Sequence, residues 1–385
     1  MNFDVGIFQP ADRFTIIGAG YVCCHRIIPA LIQHGVHPSN ISILSRRSSS
    51  NSVPANVGKV NLFDDDNEIL RAALDRGSPV IVATWPDTHF FYASPLLESG
   101  VRVAIEKPLC CGHTCFEKFR RFFAQLRERG LENEAFCLGY YALEKGLPLS
   151  VLFAPGLAKA ATSLIEVVNG SNKPHADLFA EARVRLGSIR SLKIKILEGL
   201  ERSPVGPKPQ WTELPNLGGV LFDTFVHVLQ LAIVILGEAE WLQKLSWREG
   251  WHSSRLLELG LPCYTETPPH KIEAEASGPE LEVSLMAGKF IHPAECKRAA
   301  ELVFENGTIL CDFDRQRCIV EFAGGNPICL QTRTDNLALA TRYGIQLALM
   351  RSAFREGGTA YDLREIQLAA IKILLDKPPG EVFFF

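Results

Sequence analysis

The sequence predicts an α/β protein in two parts: an N-terminal doubly wound parallel sheet and a C-terminal α+β domain with a large, mostly antiparallel open sheet. Three observations predict it. Between Phe14 and Leu138, short β-branched runs alternate with longer stretches of helical spacing, the rhythm of βαβ units. From Ser163 onward, strand candidates follow one another with few helices between them, joined by turn signals. A chain of 385 residues, 47% of them hydrophobic, can fill two cores, and the change of pattern sets the domains at 1–138 and 139–385.

Phe14-Thr-Ile-Ile17 reads as the first strand, followed by Gly18-Ala-Gly20-Tyr21-Val22-Cys23 and a helix ending near Gly35. Strand, glycine turn and helix in that order are the context of a dinucleotide fingerprint. Gly18 permits the tight turn, Gly20 lets the backbone approach a pyrophosphate, and the helix N-terminus favours its charge. Cys23 occupies the third glycine position, and a purely structural strand-to-helix turn fits the same residues. The second strand, Ile41–Leu44, runs into Ser45-Arg46-Arg47-Ser48. No acid stands there to take a ribose 2′-hydroxyl, whereas arginine suits a 2′-phosphate, so NADP(H) is expected over NAD(H).

Next come Val57–Phe63, a helix-like Asn67–Asp75, and the strand Val80–Thr84, which opens into Trp85-Pro86-Asp87-Thr88-His89. A helix over Thr88–Ser99 leads to the strand Val101–Ile105, which stops at Glu106-Lys107-Pro108. In a parallel sheet, ligands meet the carboxyl ends of strands, so Lys107 is either a solvated rim residue or a catalytic one. Cys110-Cys111-Gly-His113-Thr-Cys115 has no second Cys/His cluster to close a tetrahedron, so no metal is expected. Eleven cysteines, odd in number and scattered, do not form a disulfide framework, and the start Met-Asn-Phe-Asp lacks a signal peptide, so a cytoplasmic location is expected. A net charge of −3 without a Lys/Arg run argues against nucleic acid, and the lack of a long uncharged apolar run argues against a membrane span.

Ala135–Leu138 ends the first sheet. Strand candidates then fall at Ser163–Val168, Ile189–Leu197, Glu240–Trp247, His270–Ala276, Leu281–Ala287, Ala300–Phe304 and Arg317–Phe322, with turns at Ser277-Gly-Pro279, Glu305-Asn-Gly307 and Gly324-Gly-Asn-Pro327. Asp335–Arg355 and Leu363–Leu375 return to helical spacing. Between Gly218 and Gly237 lies one apolar helix, expected across a face of this sheet. Its polar residues Asp223, His227 and Gln230 stand at i, i+4 and i+7, on a single face. An ordinary helical ion pair and a ligand-facing site both fit that stripe.

Taken in order, Gly18-Ala-Gly20 with Pro29-Ala-Leu31, Ala83-Thr-Trp-Pro-Asp-Thr-His89, Glu106-Lys107-Pro108, then Trp211, Gly218-Gly219 and the Asp223/His227 helix resemble the glucose-fructose oxidoreductase/inositol dehydrogenase/rhizopine-catabolism (Gfo/Idh/MocA) family. The resemblance spans residues 14 to 237. It implies a Rossmann nucleotide domain contacted through Gly18, Gly20, Tyr21, Val22, Ser45, Arg46, Arg47, Thr84, Trp85, Pro86, His89, Glu106 and Lys107. It also implies Lys107, Asp223 and His227 as a catalytic set facing substrate, with Trp211 beside them and a cis peptide before Pro108. Gly139-Tyr140-Tyr141-Ala-Leu-Glu-Lys145 is similar to a substrate-binding segment of glucose-6-phosphate dehydrogenases, which brings Tyr141 and Lys145 forward as substrate contacts.

On this reading the chain is an NADP(H)-dependent oxidoreductase for the alcohol/ketone carbon of a sugar, cyclitol or related polyol. His227 serves as acid/base because imidazole titrates near neutral pH, Lys107 polarises the reacting oxygen, and Asp223 orients His227 or a substrate hydroxyl. The resemblance further implies a homo-oligomer, dimer or tetramer, formed through the C-terminal sheet. An imine reductase on the same scaffold and a non-catalytic NADPH sensor are the competing readings.

Overall fold

The computed structural model describes residues 8–9, 11–47, 59–139, 146–154, 165–168, 175–199, 219–238, 240–251, 269–291, 293–332, 343–356, 359–377 and 380–384. By contact grouping the chain forms two compact units, Met1–Tyr140 with Arg333–Glu365, and Tyr141–Thr332 with Ile366–Phe385. The sequence reading ran residues 139–385 as one piece, whereas the grouping returns Arg333–Glu365 to the first unit. Packing within that unit shows why. The helix Gly344–Glu356 sets Phe354 edge-on to Phe136, with ring centroids 6.5 Å apart.

In the first unit, β1 (Phe14–Ile17), β2 (Ile41–Arg46), β3 (Lys59–Phe63), β4 (Val80–Val82), β5 (Val103–Ile105) and β6 (Ala135–Cys137) form a parallel sheet in the order β3-β2-β1-β4-β5-β6. The four strands β1, β4, β5 and β6 are buried along their whole length, which is why they read as continuous apolar runs rather than alternating ones. Helices α1 (Ile28–Gln33), α2 (Asp66–Arg76), α3 (His89–Glu98) and α4 (His113–Glu128) cross between them. Local chemistry sets their ends. The Asp65 side chain accepts from the Glu68 N–H to cap α2, and Gly77, at φ 59°, stops it in the left-handed conformation.

The second unit carries a ten-stranded sheet among the described residues. Its strands are β7 (Ile165–Val167), β8 (Ile189–Gly199), β9 (Ser246–Trp251), β10 (Lys271–Ser277), β11 (Glu282–Ile291), β12 (Lys297–Phe304), β13 (Gly307–Asp312), β14 (Arg317–Phe322), β15 (Ile328–Thr332) and β16 (Val382–Phe384), in the order β16-β9-β10-β11-β8-β12-β13-β14-β15-β7. Pairing is antiparallel except for β8 with β11 and β9 with β16. The three expected turns join β10–β11, β12–β13 and β14–β15 as hairpins. The expectation of a strand over Glu240–Trp247 is corrected: Glu240–Lys244 is a helical turn and the strand begins at Ser246. Trp241 and Leu245 are both buried, an i, i+4 spacing that a helix can satisfy, and the Trp241 indole N–H donates to the Gly237 carbonyl at 3.1 Å.

Gly219 to Leu236 form the expected apolar helix, which packs on β8 and β11. Its C-terminal part, Val226–Leu236, is buried on nearly every side. No helix among the described residues is long and apolar enough to cross a membrane.

Candidate active site

In the first unit the strand order reverses between β1 and β4, the switch point where an open parallel sheet leaves a crevice at its carboxyl ends. Gly18 sits there at φ 105°, and a Cβ on it would lie 2.5 Å from the Ala83 carbonyl oxygen. Only glycine fits a backbone of that conformation so close to β4. Gly20, two residues on, is exposed, and a Cβ placed there would meet no atom within 4 Å. The chain therefore offers bare backbone at the start of a helix, which fits a pyrophosphate. Tyr21 is exposed with its ring tilted against His25, centroids 4.6 Å apart, while Val22 is half-buried. Past them the helix widens into a π-type turn, Cys23–Ile27, with Cys23 fully buried where a third glycine was looked for.

The carboxyl end of β2 presents the two expected arginines, each with a partner the sequence reading did not name. Arg46 forms a two-point ion pair with Asp66 at the start of α2, and the Tyr92 hydroxyl donates to the same carboxylate. Arg46 holds the Asp66 carboxyl below the usual range through these hydrogen bonds. Arg47 pairs with Asp64 at 3.0 Å. Ser45 is buried, so of the Ser45-Arg46-Arg47 trio only the arginines reach the surface.

After β4, Trp85 is exposed, Pro86 is buried, and the Thr88 hydroxyl donates to Thr84 Oγ1 and to the Trp85 carbonyl, both at 2.8 Å. His89 is fully buried with Nε2 3.0 Å from the Thr84 carbonyl, and burial pulls its pKa down to about 4. It is a neutral imidazole in the frame of this loop, not on its surface.

At the end of β5 the Lys107–Pro108 peptide is cis, as the resemblance implied. Glu106 is buried and accepts from the Tyr343 hydroxyl at 2.8 Å. Gly139, just past β6, holds φ 87°, and a Cβ there would fall 2.0 Å from Lys107 Cγ and 3.0 Å from Glu106 Oε1. The lysine stem thus passes directly over a glycine whose N–H donates to Gln346 at 2.6 Å. Tyr343, Gln346 and Gly139 were not read from the sequence as supports of Lys107. The signal was one glycine at a strand end, and its meaning depends on which strand lies alongside.

In the second unit Asp223, His227 and Gln230 are all buried, at 6%, 3% and 2% exposure. Asp223 lies inside a π-type turn, Leu221–Phe225, closed by the Val226 N–H on the Leu221 carbonyl. A turn of that kind takes up one extra residue, so the stripe expected from i, i+4, i+7 spacing is broken at its first member. Asp223 pairs with Lys289 of β11, a side chain the sequence reading passed over. Asp223 and the His227 imidazole are thus buried together on one apolar helix, with Lys289, the partner of Asp223, on the strand beneath it. Tyr141, Lys145 and Trp211 lie outside the described residues.

Residues 13–131 match the NAD-binding Rossmann-fold domain of the GFO_IDH_MocA oxidoreductase family. No curated protein matches the sequence. Among solved structures, the chain is similar to a 3-ketoreductase from Actinomadura kijaniata in complex with NADP and TDP-benzene (18% identity, 97% of this chain and 99% of that one, TM-score 0.61). It is also similar to UDP-N-acetylglucosamine 3-dehydrogenase from Acidithiobacillus ferrooxidans (15%, 95% and 97%, TM-score 0.59). A levoglucosan dehydrogenase in complex with NADH and L-sorbose is a third such structure (15%, 94% and 96%, TM-score 0.65). At these identities the likeness is one of fold.

Proposed function

Since residues 13–131 belong to the NAD-binding Rossmann domain of the Gfo/Idh/MocA oxidoreductase family, we propose that the chain is a dehydrogenase or reductase acting on the alcohol/ketone carbon of a sugar, cyclitol or related polyol. The first unit serves as the nucleotide-binding half and the second as the substrate-binding half. The observation that carries the reading is bare backbone at Gly18 and Gly20 on the switch point, with Lys107 at the end of the neighbouring β5. Two of the structures named above are of enzymes named for sugar substrates, UDP-N-acetylglucosamine and levoglucosan, which supports the substrate class. Arg46 and Arg47 at the end of β2 support NADP(H) over NAD(H), their directions fixed by Asp66 and Asp64. A cytoplasmic homo-oligomer, dimer or tetramer, formed through the second sheet completes the reading.

A bound dinucleotide supplies hydride transfer. His227 moves the proton of the reacting oxygen, Lys107 polarises that oxygen, and Asp223, paired with Lys289, holds a neighbouring substrate hydroxyl. The test is a screen of sugar and cyclitol ketones followed by NADPH absorbance. With the substrate it returns, Lys107→Ala and His227→Ala each lose on the order of 10²-fold or more in turnover. Wild-type turnover in both variants overturns the assignment.

A further inference from the structure

Two hydrogen bonds from one helix start converge on the residues that hold Lys107. The Tyr343 carbonyl accepts from the Leu347 N–H at 2.9 Å, so Tyr343 stands at the head of the helix Gly344–Glu356 and Gln346 lies in its first turn. Three residues apart at a helix start, the two share one side of that turn. The Tyr343 hydroxyl donates to Oε1 of Glu106, the sequence neighbour of Lys107, at 2.8 Å. Gln346 Oε1 accepts at 2.6 Å from the N–H of Gly139, the residue beneath the lysine stem. That same Glu106 oxygen would lie 3.0 Å from a Cβ on Gly139, so both bonds close around one point. The surroundings are shielded: Gln346, Tyr343, Glu106 and Gly139 are buried, and Lys107 is half-buried. The helix itself is seated by Leu347, Met350 and Phe354, buried at i, i+3 and i+7, in the same unit as Lys107.

A lysine does not aim itself, because its flexible four-carbon stem carries the ammonium wherever its base is held. Buried carboxyl and amide groups cost desolvation and repay it only through well-made bonds, whereas an apolar pair of the same shape would seat the helix as well. Both bonds are made at the base of Lys107, which gives them a task besides stability. We propose that Tyr343 and Gln346 are positioning residues for Lys107: one fixes Glu106, the other fixes Gly139, and together they set where the ammonium meets the reacting oxygen. The proposal rests on the role given to Lys107 above. Each acts through the base of the lysine and not by contact with substrate. A misplacement of about 1 Å at a group that orients a reacting atom can cost about 10²-fold in rate, and loss of one of two ties costs less, on the order of tenfold.

The test measures kcat, KM and NADPH affinity in Tyr343→Phe and Gln346→Met, using the full chain and the substrate returned by the ketone screen. In each variant kcat falls on the order of tenfold while KM and NADPH affinity stay within about twofold. In a Lys107→Ala background the same substitutions cost nothing further, because the side chain they aim is gone. Tyr343→Phe keeps the ring and removes only the hydroxyl, so it decides the matter if Gln346→Met does not fold. Wild-type kcat in Tyr343→Phe overturns the proposal. An equal fractional loss with and without Lys107 also overturns it, since that is the mark of a merely structural role. A second readout needs no turnover. With the lysines dimethylated using carbon-13 formaldehyde, the Lys107 signal is identified by its loss in Lys107→Ala, and in Tyr343→Phe it moves toward the position shared by exposed lysines. An unmoved signal overturns the positioning. Wild-type turnover in Lys107→Ala breaks the proposed function, and the Lys107 signal then still decides whether Tyr343 positions the side chain.

Discussion

Two ion pairs, one in each unit, join a carboxylate at the start of a helix to a cation of a strand, and their surroundings give them opposite weight. Arg46 and Asp66 keep side-chain exposures of 54% and 21%, whereas Lys289 and Asp223 keep 19% and 7%. In water a charge loses little when its partner goes, because solvent replaces the partner. In an apolar setting the stranded charge has no substitute, and the cost of desolvation falls on the fold. The same pairing therefore directs a side chain in the first unit and holds a charge in place in the second.

The strongest way to break that contrast is Lys289→Met, which takes the ammonium partner from the buried Asp223 carboxylate. Stability should fall by about 3–5 kcal/mol in urea denaturation, and adding Asp223→Leu should restore much of it. A loss below 1 kcal/mol would make the two pairs equivalent. His89 sharpens the contrast, since it answers burial by giving up its charge instead of pairing. Its folded pKa of about 4 lies below the reference 6.5. As pH falls through about 6.5 the unfolded chain takes up the proton first, so stability declines toward pH 4 by on the order of 3 kcal/mol. Denaturation at stepped pH should show this slope in the wild type and a shallower one in His89→Asn; equal slopes would remove His89 from the account. Smallest is Asp66→Asn, expected to cost under about 1 kcal/mol, with the effect visible instead as a changed NADPH/NADH affinity ratio when Arg46 loses its direction.

Sequence was a good guide wherever the physics is local. Gly18 could be read because a strand ending in Gly-X-Gly before a helical pattern leaves few other geometries, and the structure places it at φ 105° against β4. The hairpins were legible from their turn residues for the same reason. Lys289 was not, because its meaning comes from β11 lying under the Asp223 turn, a register set by the whole sheet. The π-type turn at Leu221–Phe225 was also hidden: its residues are ordinary helix formers by pattern, and only the observed bond from Val226 to Leu221 reveals the extra residue. The Glu240–Trp247 error had a milder cause, since a short apolar run with two tryptophans fits either period until burial is known.

Tyr343 and Gln346, which bond Glu106 and Gly139, come from a stretch of chain made after every strand of the second sheet but β16. Order of synthesis and order of assembly therefore differ for the first unit. While the ribosome is still adding the second, the parallel sheet can pair, but the carboxylate beside Lys107 has no tyrosine to meet it. A fragment ending at residue 140 would carry the glycine loop and the lysine and still lack both of these supports, so the first unit becomes complete only when nearly all of the chain has been made.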